Sequence, residues 1–435
     1  MNLQLQERNP AIDFIKKLFW LYFILLLFEG ALRKWVLPGL ATPLLIVRDP
    51  VALFILFYVL VKRLWTPGGY VLIGWILILL SFISTLVAGH GNLFVAIYGL
   101  RIMMIHFPVL FVMGSLLNKE DIHQMMRVLL FISLGMTVLV ALQFFSPQSA
   151  WVNRGIGADA SGSGFSGAAG FYRVPGTFSF TNGLSLFYGW VVASLIYFWG
   201  FAQEKISRLL LLTATLSFVA VLPMLISRTV VFETVLSLLF YLLIAKKGIG
   251  SLMKIGFAAL ILYTFFVLAQ NFSFFDTATN ALTTRFDNAG RSEGGIEGTL
   301  VNRFLGGMYD ALADPNSSFI GKGLGMGSNA GAQLLAGRRT FLVSEEEWGR
   351  LIGESGILIG LGLIFLRIVF LFSLLLKSWR SQIQNANALP WMLLSFGFVI
   401  MIQGQWSQPT SLGFAVLIGG SILAALKHKQ KAINL

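Results

Sequence analysis

Apolar residues recur along the chain in long runs, and polar residues are largely confined to the segments between them. A bilayer core about 30 Å thick needs about 20 apolar residues for one helix to cross it. Twelve runs have about that length; they cover residues 17–34, 44–61, 70–88, 94–117, 125–145, 178–200, 208–226, 229–245, 251–270, 350–376, 389–403 and 411–427. The pattern predicts an all-α polytopic integral membrane protein with about twelve transmembrane helices.

The composition supports this class and excludes several others. Of 435 residues, 56% are hydrophobic and only 12% are charged, whereas a soluble globular chain carries about 25% charged residues. A soluble enzyme and a disordered chain are therefore excluded. The absence of cysteine excludes thiolate catalysis, disulfides and Cys-ligated metals. The four histidines are scattered singly and no Walker-type phosphate loop occurs, so the sequence predicts neither a metal nor a cofactor.

The basic residues predict the orientation. With the N-terminus in the cytoplasm, twelve of the 14 lysines fall on cytoplasmic segments, and every such segment holds at least two basic residues. This is the positive-inside pattern of membrane proteins. The net charge of +13 is thus explained by topology and does not indicate nucleic-acid binding. We predict a multi-pass protein of the bacterial cytoplasmic membrane with both termini in the cytoplasm.

Most of the 18 arginines lie within the predicted spans or on the segments predicted to face the outside of the cell, and not on the cytoplasmic segments. Guanidinium groups suit forked, anionic ligands. Arg101 lies in the fourth span with no carboxylate three or four residues away, so it needs a partner on another helix or an anionic ligand. Arg228 lies in a tight outer turn and is expected to face an outer cavity. Arg48 and Asp49 are expected to pair with each other at the membrane edge.

Two outer loops are larger than a connection requires. Residues 146–177 contain a flexible Gly/Ser-rich stretch, and residues 271–349 form a loop with charged residues of both signs and an expected helix over 300–313. Long ordered loops are usually functional. The predicted domains are a membrane part with helices 1–9 (1–270), an extracytoplasmic loop domain (271–349) and a second membrane part with helices 10–12 (350–435).

A group of charges opens the tenth span. Helical spacing places Glu347, Arg350 and Glu354 on one face. One interpretation is an ordinary amphipathic helix entry with solvated acids. The other is a carboxylate at the mouth of an outer cavity, where a general base is useful.

Several local strings resemble the O-antigen polymerase and O-antigen ligase family of bacterial membrane glycosyltransferases. They are Arg173-Val-Pro-Gly-Thr-Phe-Ser-Phe-Thr-Asn182, Ile226-Ser-Arg-Thr229, Arg303 followed by Phe319-Ile-Gly-Lys-Gly-Leu-Gly325, and Glu347 with Gly353-Glu-Ser-Gly-Ile357. Their order and topological places match over residues of about 170–365. The first five spans are matched only in number.

The resemblance implies glycosyl transfer from a polyprenyl-diphosphate-linked oligosaccharide to a glycan acceptor. The further partners that it implies are the lipid of the membrane and a chain-length regulator. The resemblance also implies that Arg228 and Arg303 correspond to arginines that are essential in the family. We assign both to the diphosphate, because guanidinium groups can stabilise the negative charge that develops on it. The candidate catalytic residues are Arg228, Arg303 and Glu347, and the candidate substrate-binding residues are Arg173, Arg101, Arg338 and Arg339.

The ligase branch of that family has a functional histidine in the large outer loop, and residues 271–349 contain none. This favours a polymerase of a surface or exported polysaccharide. The alternatives are an O-antigen ligase, a flippase or transporter of lipid-linked sugars, and a non-enzymatic scaffold for envelope assembly.

Overall fold

The fold is built almost entirely from helices. The structure, a computed structural model, describes residues 9–245, 273–292, 305–313, 319–337 and 341–427. Helices make up 77% of it. The strands in the described part are β1 (Phe165–Ala168) and β2 (Phe171–Arg173), an antiparallel hairpin in which Phe165 pairs with Arg173. The predicted helical class of the chain is confirmed.

The helices follow the apolar runs. Those of the first part are α1 (Pro10–Ala31), α2 (Arg48–Val61), α3 (Gly69–Val87), α4 (Leu93–Arg101), α5 (Phe107–Leu116), α6 (Lys119–Phe145), α7 (Thr181–Phe201), α8 (Arg208–Val221) and α9 (Arg228–Ile244). The later ones are α10 (Ser273–Ser292), α11 (Gly307–Ala313), α12 (Asn329–Ala336), α13 (Glu347–Asn385), α14 (Leu389–Gln403) and α15 (Pro409–Leu426). A π-helical segment, Ile102–His106, joins α4 to α5.

Seven helices of the described residues are long and apolar enough to cross a membrane. They are Pro43–Val61, Gly69–Val87, Leu93–Leu116, Lys119–Phe145, Thr181–Phe201, Glu347–Asn385 and Pro409–Leu426. The chain is therefore a multi-pass membrane protein. The count of twelve stays a prediction, and the run at 251–270 lies outside the described residues.

The helices differ in how deeply they are buried. Of the most apolar stretch of 18 residues in each helix, 78% is buried in α7 and 83% in α15, but only 28% is buried in α3. Helices α7 and α15 therefore form the centre, while α3 presents most of its apolar side chains on the outer surface. Between the central helices, Trp190 lies parallel to Phe396 at a ring distance of 6.3 Å and edge-on to Phe414.

Helix α13 reverses direction near its start, which the apolar run 350–376 does not predict. Gly356 has φ 82° and ψ 169°, a conformation essentially restricted to glycine. A straight helix would hold Glu347 and Arg367 about 30 Å apart, yet their side chains form an ion pair of 2.6 Å. Residues 347–355 therefore form a half-helix that packs back on the long helix 357–385. The expectation of one continuous span from 350 is wrong.

Candidate functional site

A buried cluster of four charges holds the half-helix 347–355 in place. Glu347 accepts from the Arg350 Nε atom at 2.8 Å through one oxygen and from the Arg367 Nη1 atom at 2.6 Å through the other. Arg350 also pairs with Glu354, which accepts from the Gly327 N–H at 2.7 Å. All four charged side chains are at most 4% exposed. Two carboxylates and two guanidinium groups balance, which lowers the cost of burying them.

The same cluster satisfies the end of α14. With 15 residues, α14 rises only about 22 Å, less than a bilayer core, so its last carbonyl groups need partners within the protein. Arg367 donates to the carbonyl oxygens of Met401 at 3.0 Å and Gly404 at 3.1 Å. The Trp348 indole donates to the carbonyl oxygen of Ile402 at 2.9 Å. A cation at a helix C-terminus is also favoured by the helix dipole.

A small cavity lies against this cluster. It encloses about 20 Å³ and is lined by Glu347, Glu354, Met103 and Trp406, among others. This volume suffices for about one water molecule and not for a sugar or a phosphate. The guanidinium group of Arg367 stacks over the Trp406 ring at 3.9 Å and closes one side. The charged face of the half-helix is therefore a packed interior.

A larger cavity lies on the opposite face of the half-helix, and we call it the outer cavity after the predicted orientation of the chain. Its volume is about 310 Å³, and Gly349, Ile352 and Gly353 form one wall. The other walls come from α11 and from residues 342–344, all within the large predicted loop. Cavities that bind small ligands begin at about 300 Å³. The loop segments and the half-helix thus enclose a space of ligand size.

The lining of the outer cavity combines polar and aliphatic groups. Asp310, Lys322 and Ser344 supply the polar side chains, and Leu342 and Val343 supply aliphatic surface. The carboxylate of Glu346 accepts from the Gly307 N–H and fixes the start of α11 to the start of the half-helix. The position of the wall formed by α11 therefore depends on the half-helix.

A second buried cluster joins α1, α2 and the π-helical segment. Arg48 donates to Glu29 at 3.3 Å, and the Asp49 carboxylate accepts from Arg101 at 2.8 Å and 3.0 Å. His106 bridges the Asp49 carboxylate at 2.9 Å and the Tyr22 hydroxyl at 3.0 Å. The expected pairing of Arg48 with Asp49 is wrong, because each has a different partner on a neighbouring helix.

Arg101 has the interhelical partner that its position requires. Its Nη1 atom donates both hydrogen bonds to the Asp49 carboxylate. Its guanidinium group lies 4.1 Å from the centre of the Tyr98 ring. Its Nε and Nη2 atoms have no hydrogen-bond partner within the described part of the chain. The residue is 6% exposed. Its binding to a substrate stays a prediction, and the described geometry shows it as an intramembrane ion-pair member.

Arg228 and Arg173 lie near elements that α10 brings together. Arg228 is the first residue of α9 and is half-buried; its main-chain position at a helix N-terminus favours nearby anions. The turn Pro223–Leu225 before it packs against α10, which also contacts β1. Arg173 ends β2 and pairs across the hairpin with Phe165 of β1. Helix α10 thus connects the surroundings of the two arginines.

Of the remaining predicted site residues, the structure describes only Glu347. Arg303, Arg338 and Arg339 lie outside the described residues. Glu347 lies in the buried cluster with both oxygens engaged, on the side of the half-helix away from the outer cavity. Its role as a base stays a prediction, and in this geometry it requires that Arg350 and Arg367 first release it.

The sequence analysis did not select Arg367, although its side chain donates to Glu347 and to the main-chain carbonyl groups of Met401 and Gly404. An arginine in the middle of an apolar run is itself a signal of a buried partner or a functional site. His106 carried the same signal in the fourth run. In the described part of the chain, no group of three or more His, Asp or Glu side chains is placed to hold a metal ion.

Comparison with protein-family models and with curated proteins found no match for this chain.

Proposed function

We propose that this chain is a membrane glycosyltransferase that polymerises polyprenyl-diphosphate-linked oligosaccharide repeat units into a surface or exported polysaccharide. It would act on the outer face of the bacterial cytoplasmic membrane, with twelve spans and both termini in the cytoplasm. The observation that carries the proposal is the outer cavity. A cavity of about 310 Å³ between the half-helix and segments of the large loop supports a binding function of that loop beyond connecting two spans.

The chemistry of the outer face supports a lipid-linked donor. Nucleotide sugars are absent there, so the glycosyl donor arrives attached to a polyprenyl diphosphate. When an acceptor hydroxyl attacks the anomeric carbon, negative charge develops on the departing diphosphate. Guanidinium groups placed at that point stabilise the charge, and the loss of one such donor typically costs about 3–4 kcal/mol of barrier.

Arg228 and Arg303 are the proposed diphosphate ligands, with Arg173 as a further contact. Arg228 is supported by its half-buried place at the start of α9. Arg303 precedes α11 by four residues in the sequence, and α11 lines the outer cavity. Arg338 and Arg339 precede residues 342–344, another lining segment, by a few residues.

The test is complementation of a knockout strain. Arg228→Ala and Arg303→Ala are each expected to abolish long-chain polysaccharide while the protein remains in the membrane. Arg228→Lys is expected to restore little, because an ammonium group does not form the forked contact of a guanidinium. Arg380→Ala serves as the control, since Arg380 is exposed on α13. A normal chain-length ladder from both alanine variants would contradict the proposal.

A flippase or transporter is the second candidate, favoured by the cluster around Asp49, Arg101 and His106, because ionisable groups within a membrane often line a transport path. The two functions differ in what a knockout accumulates. A missing flippase leaves lipid-linked units on the cytoplasmic face, and a missing polymerase leaves them outside. A missing ligase, the related alternative, leaves complete polymer on the carrier lipid.

A further inference from the structure

The connection between α1 and α2 is as apolar as a membrane span, although it is not a continuous helix. Residues 35–47, which we call the interfacial segment, contain no charged residue. They include two short 3₁₀ turns, Pro38–Leu40 and Pro43–Ile46. We infer that the interfacial segment lies in the headgroup region of the bilayer and anchors the loop 146–177 to the membrane surface.

The surface of the interfacial segment is apolar and open. The charged residues at its two ends are directed into the protein, because Arg33, Lys34 and Arg48 are each at most 8% exposed. A contiguous exposed apolar surface marks a contact with a membrane or with another protein. The aliphatic side chains that form this surface are 40% to 62% exposed; they are Val36, Leu37, Leu40 and Ile46.

The neighbouring helix indicates that this contact is with lipid. Helix α2 exposes Leu53 and Phe57, which are four residues apart and therefore lie on one face. The exposed residues Ile46 and Pro50 precede them and continue this spacing. The span Pro43–Val61 is apolar enough to cross a membrane, and only 28% of its most apolar stretch is buried. Since that face is presented to lipid, the interfacial segment extends a lipid-facing surface.

The main chain limits how deeply the interfacial segment enters the bilayer. Irregular main chain that is exposed to lipid does not occur in the hydrocarbon region, because its polar groups find no partners there. The Arg33 Nε atom donates to the carbonyl oxygen of Ala41 at 2.7 Å, which holds the first 3₁₀ turn against the end of α1. In the headgroup region, water is available to main-chain groups while apolar side chains reach the acyl boundary. The segment fits that boundary and not the core.

Two tryptophans join the interfacial segment to the loop 146–177. The rings of Trp35 and Trp151 stack with their centres 5.6 Å apart. The Trp35 indole N–H also donates to the carbonyl oxygen of Trp151 at 3.1 Å. Trp151 is 59% exposed, and tryptophan is enriched where a membrane meets water. The pair therefore places the start of this loop at the membrane surface.

Further hydrogen bonds hold the loop 146–177 at the same level. The Gly157 N–H donates to the carbonyl oxygen of Arg33 at 3.1 Å, and the Lys34 ammonium donates to the carbonyl oxygen of Gly176 at 2.6 Å. Arg173, a candidate substrate-binding residue, lies three positions before Gly176. The anchor keeps the loop that carries Arg173 close to the headgroups, whether or not the chain transfers sugars.

Fluorescence quenching in vesicles tests the inference, and the absence of cysteine allows a single label in each variant. Leu40→Cys carries an NBD fluorophore in the full-length protein, reconstituted in phosphatidylcholine vesicles. The quenchers are a lipid with a nitroxide on its headgroup, a lipid with a nitroxide in the middle of its acyl chain, and iodide in the water. Leu53→Cys on the lipid-facing side of α2 and Asn280→Cys on the exposed side of α10 are the matched references.

The label at residue 40 is expected to lose more emission to the headgroup nitroxide than to the acyl-chain nitroxide, and the label at residue 53 is expected to show the reverse. Iodide is expected to quench the label at residue 40 less than the label at residue 280. Val36→Cys is a second probe of the interfacial segment, and Ser149→Cys, exposed two residues before Trp151, probes the loop. Both are expected to give the pattern of Leu40→Cys.

Three results would overturn the inference. The first is iodide quenching at residue 40 or residue 149 equal to that at residue 280, which would place the site in water. The second is stronger quenching at residue 40 by the acyl-chain nitroxide, which would place the segment in the bilayer core. The third is quenching by none of the three, which would show that protein, such as a second copy of the chain, covers the segment. No result depends on glycosyl transfer, so the inference and the proposed function can fail separately.

Discussion

Replacement of Arg367 by methionine tests whether the buried charge cluster fixes the half-helix. Methionine keeps an apolar stem of similar length and removes the guanidinium group. The change leaves Glu347 with Arg350 as its partner within the cluster and takes the donor from the carbonyl oxygens of Met401 and Gly404. It also removes the contact with the Trp406 ring at 3.9 Å.

The magnitude follows from the burial of these groups. Breaking a buried ion pair by removing one partner costs about 3–5 kcal/mol, because the remaining charge stays buried without full compensation. At about 2 °C for each kcal/mol, the melting temperature is expected to fall by about 6–10 °C. Arg380→Met, an exposed change on the same helix, is expected to leave it unchanged.

The assay is thermal unfolding of the purified protein in detergent, followed by the fraction that remains monodisperse in gel filtration. A double-mutant cycle with Glu347→Gln separates the ion pair from other losses, because interacting residues give non-additive effects. Equal melting temperatures for Arg367→Met and Arg380→Met, or strictly additive effects of Glu347→Gln and Arg367→Met, would refute the argument.

Three further experiments test the reversal at Gly356, the ion pair of Asp49 with Arg101, and the predicted orientation of the chain. Gly356→Ala is expected to destabilise the fold by more than about 3 kcal/mol, since its Cβ atom would lie 2.1 Å from the Phe319 carbonyl oxygen at φ 82°. The control is Gly135→Ala, because the space around Gly135 is open. An equal yield of folded protein from both variants would contradict the reversal. Asp49→Asn is expected to cost about 3 kcal/mol because it leaves the charge of Arg101 without its counter-ion; a melting temperature matching that of the exposed-loop variant Asp159→Asn would be the opposing result. A reporter tag within residues 271–349 is expected to be accessible from outside the membrane, and a cytoplasmic tag would exclude glycosyl transfer at the outer face.

The pattern of apolar residues was sufficient for the helical class because a transmembrane helix must satisfy its main-chain groups internally and present apolar side chains to lipid. Local spacing also predicted the shared face of Glu347, Arg350 and Glu354, which the ion pairs confirm. Contacts within one turn of helix depend only on neighbouring residues, so sequence contains them directly. The helix expected over 300–313 is confirmed for Gly307–Ala313.

The reversal at Gly356 lay beyond such reasoning, because an apolar run has the same composition whether it is straight or folded back. Its consequence is large. It brings Arg367 to Glu347 across 20 positions, and it turns Gly349 and Gly353 toward the outer cavity. The predicted pairing of Arg48 with Asp49 was wrong for a similar reason. Ion pairs between helices depend on how the helices pack against each other, and the sequence of one helix does not determine that packing.

Reconstitution with lipid-linked repeat units tests the central claim most directly. The purified protein in liposomes, supplied with polyprenyl-diphosphate-linked oligosaccharide, is analysed for product length and for released polyprenyl diphosphate. The wild type is expected to form longer glycans and to release one polyprenyl diphosphate for each new glycosidic bond, and Arg303→Ala is expected to form neither product. Movement of intact lipid-linked oligosaccharide across the bilayer without new glycosidic bonds would contradict a polymerase and identify a transporter.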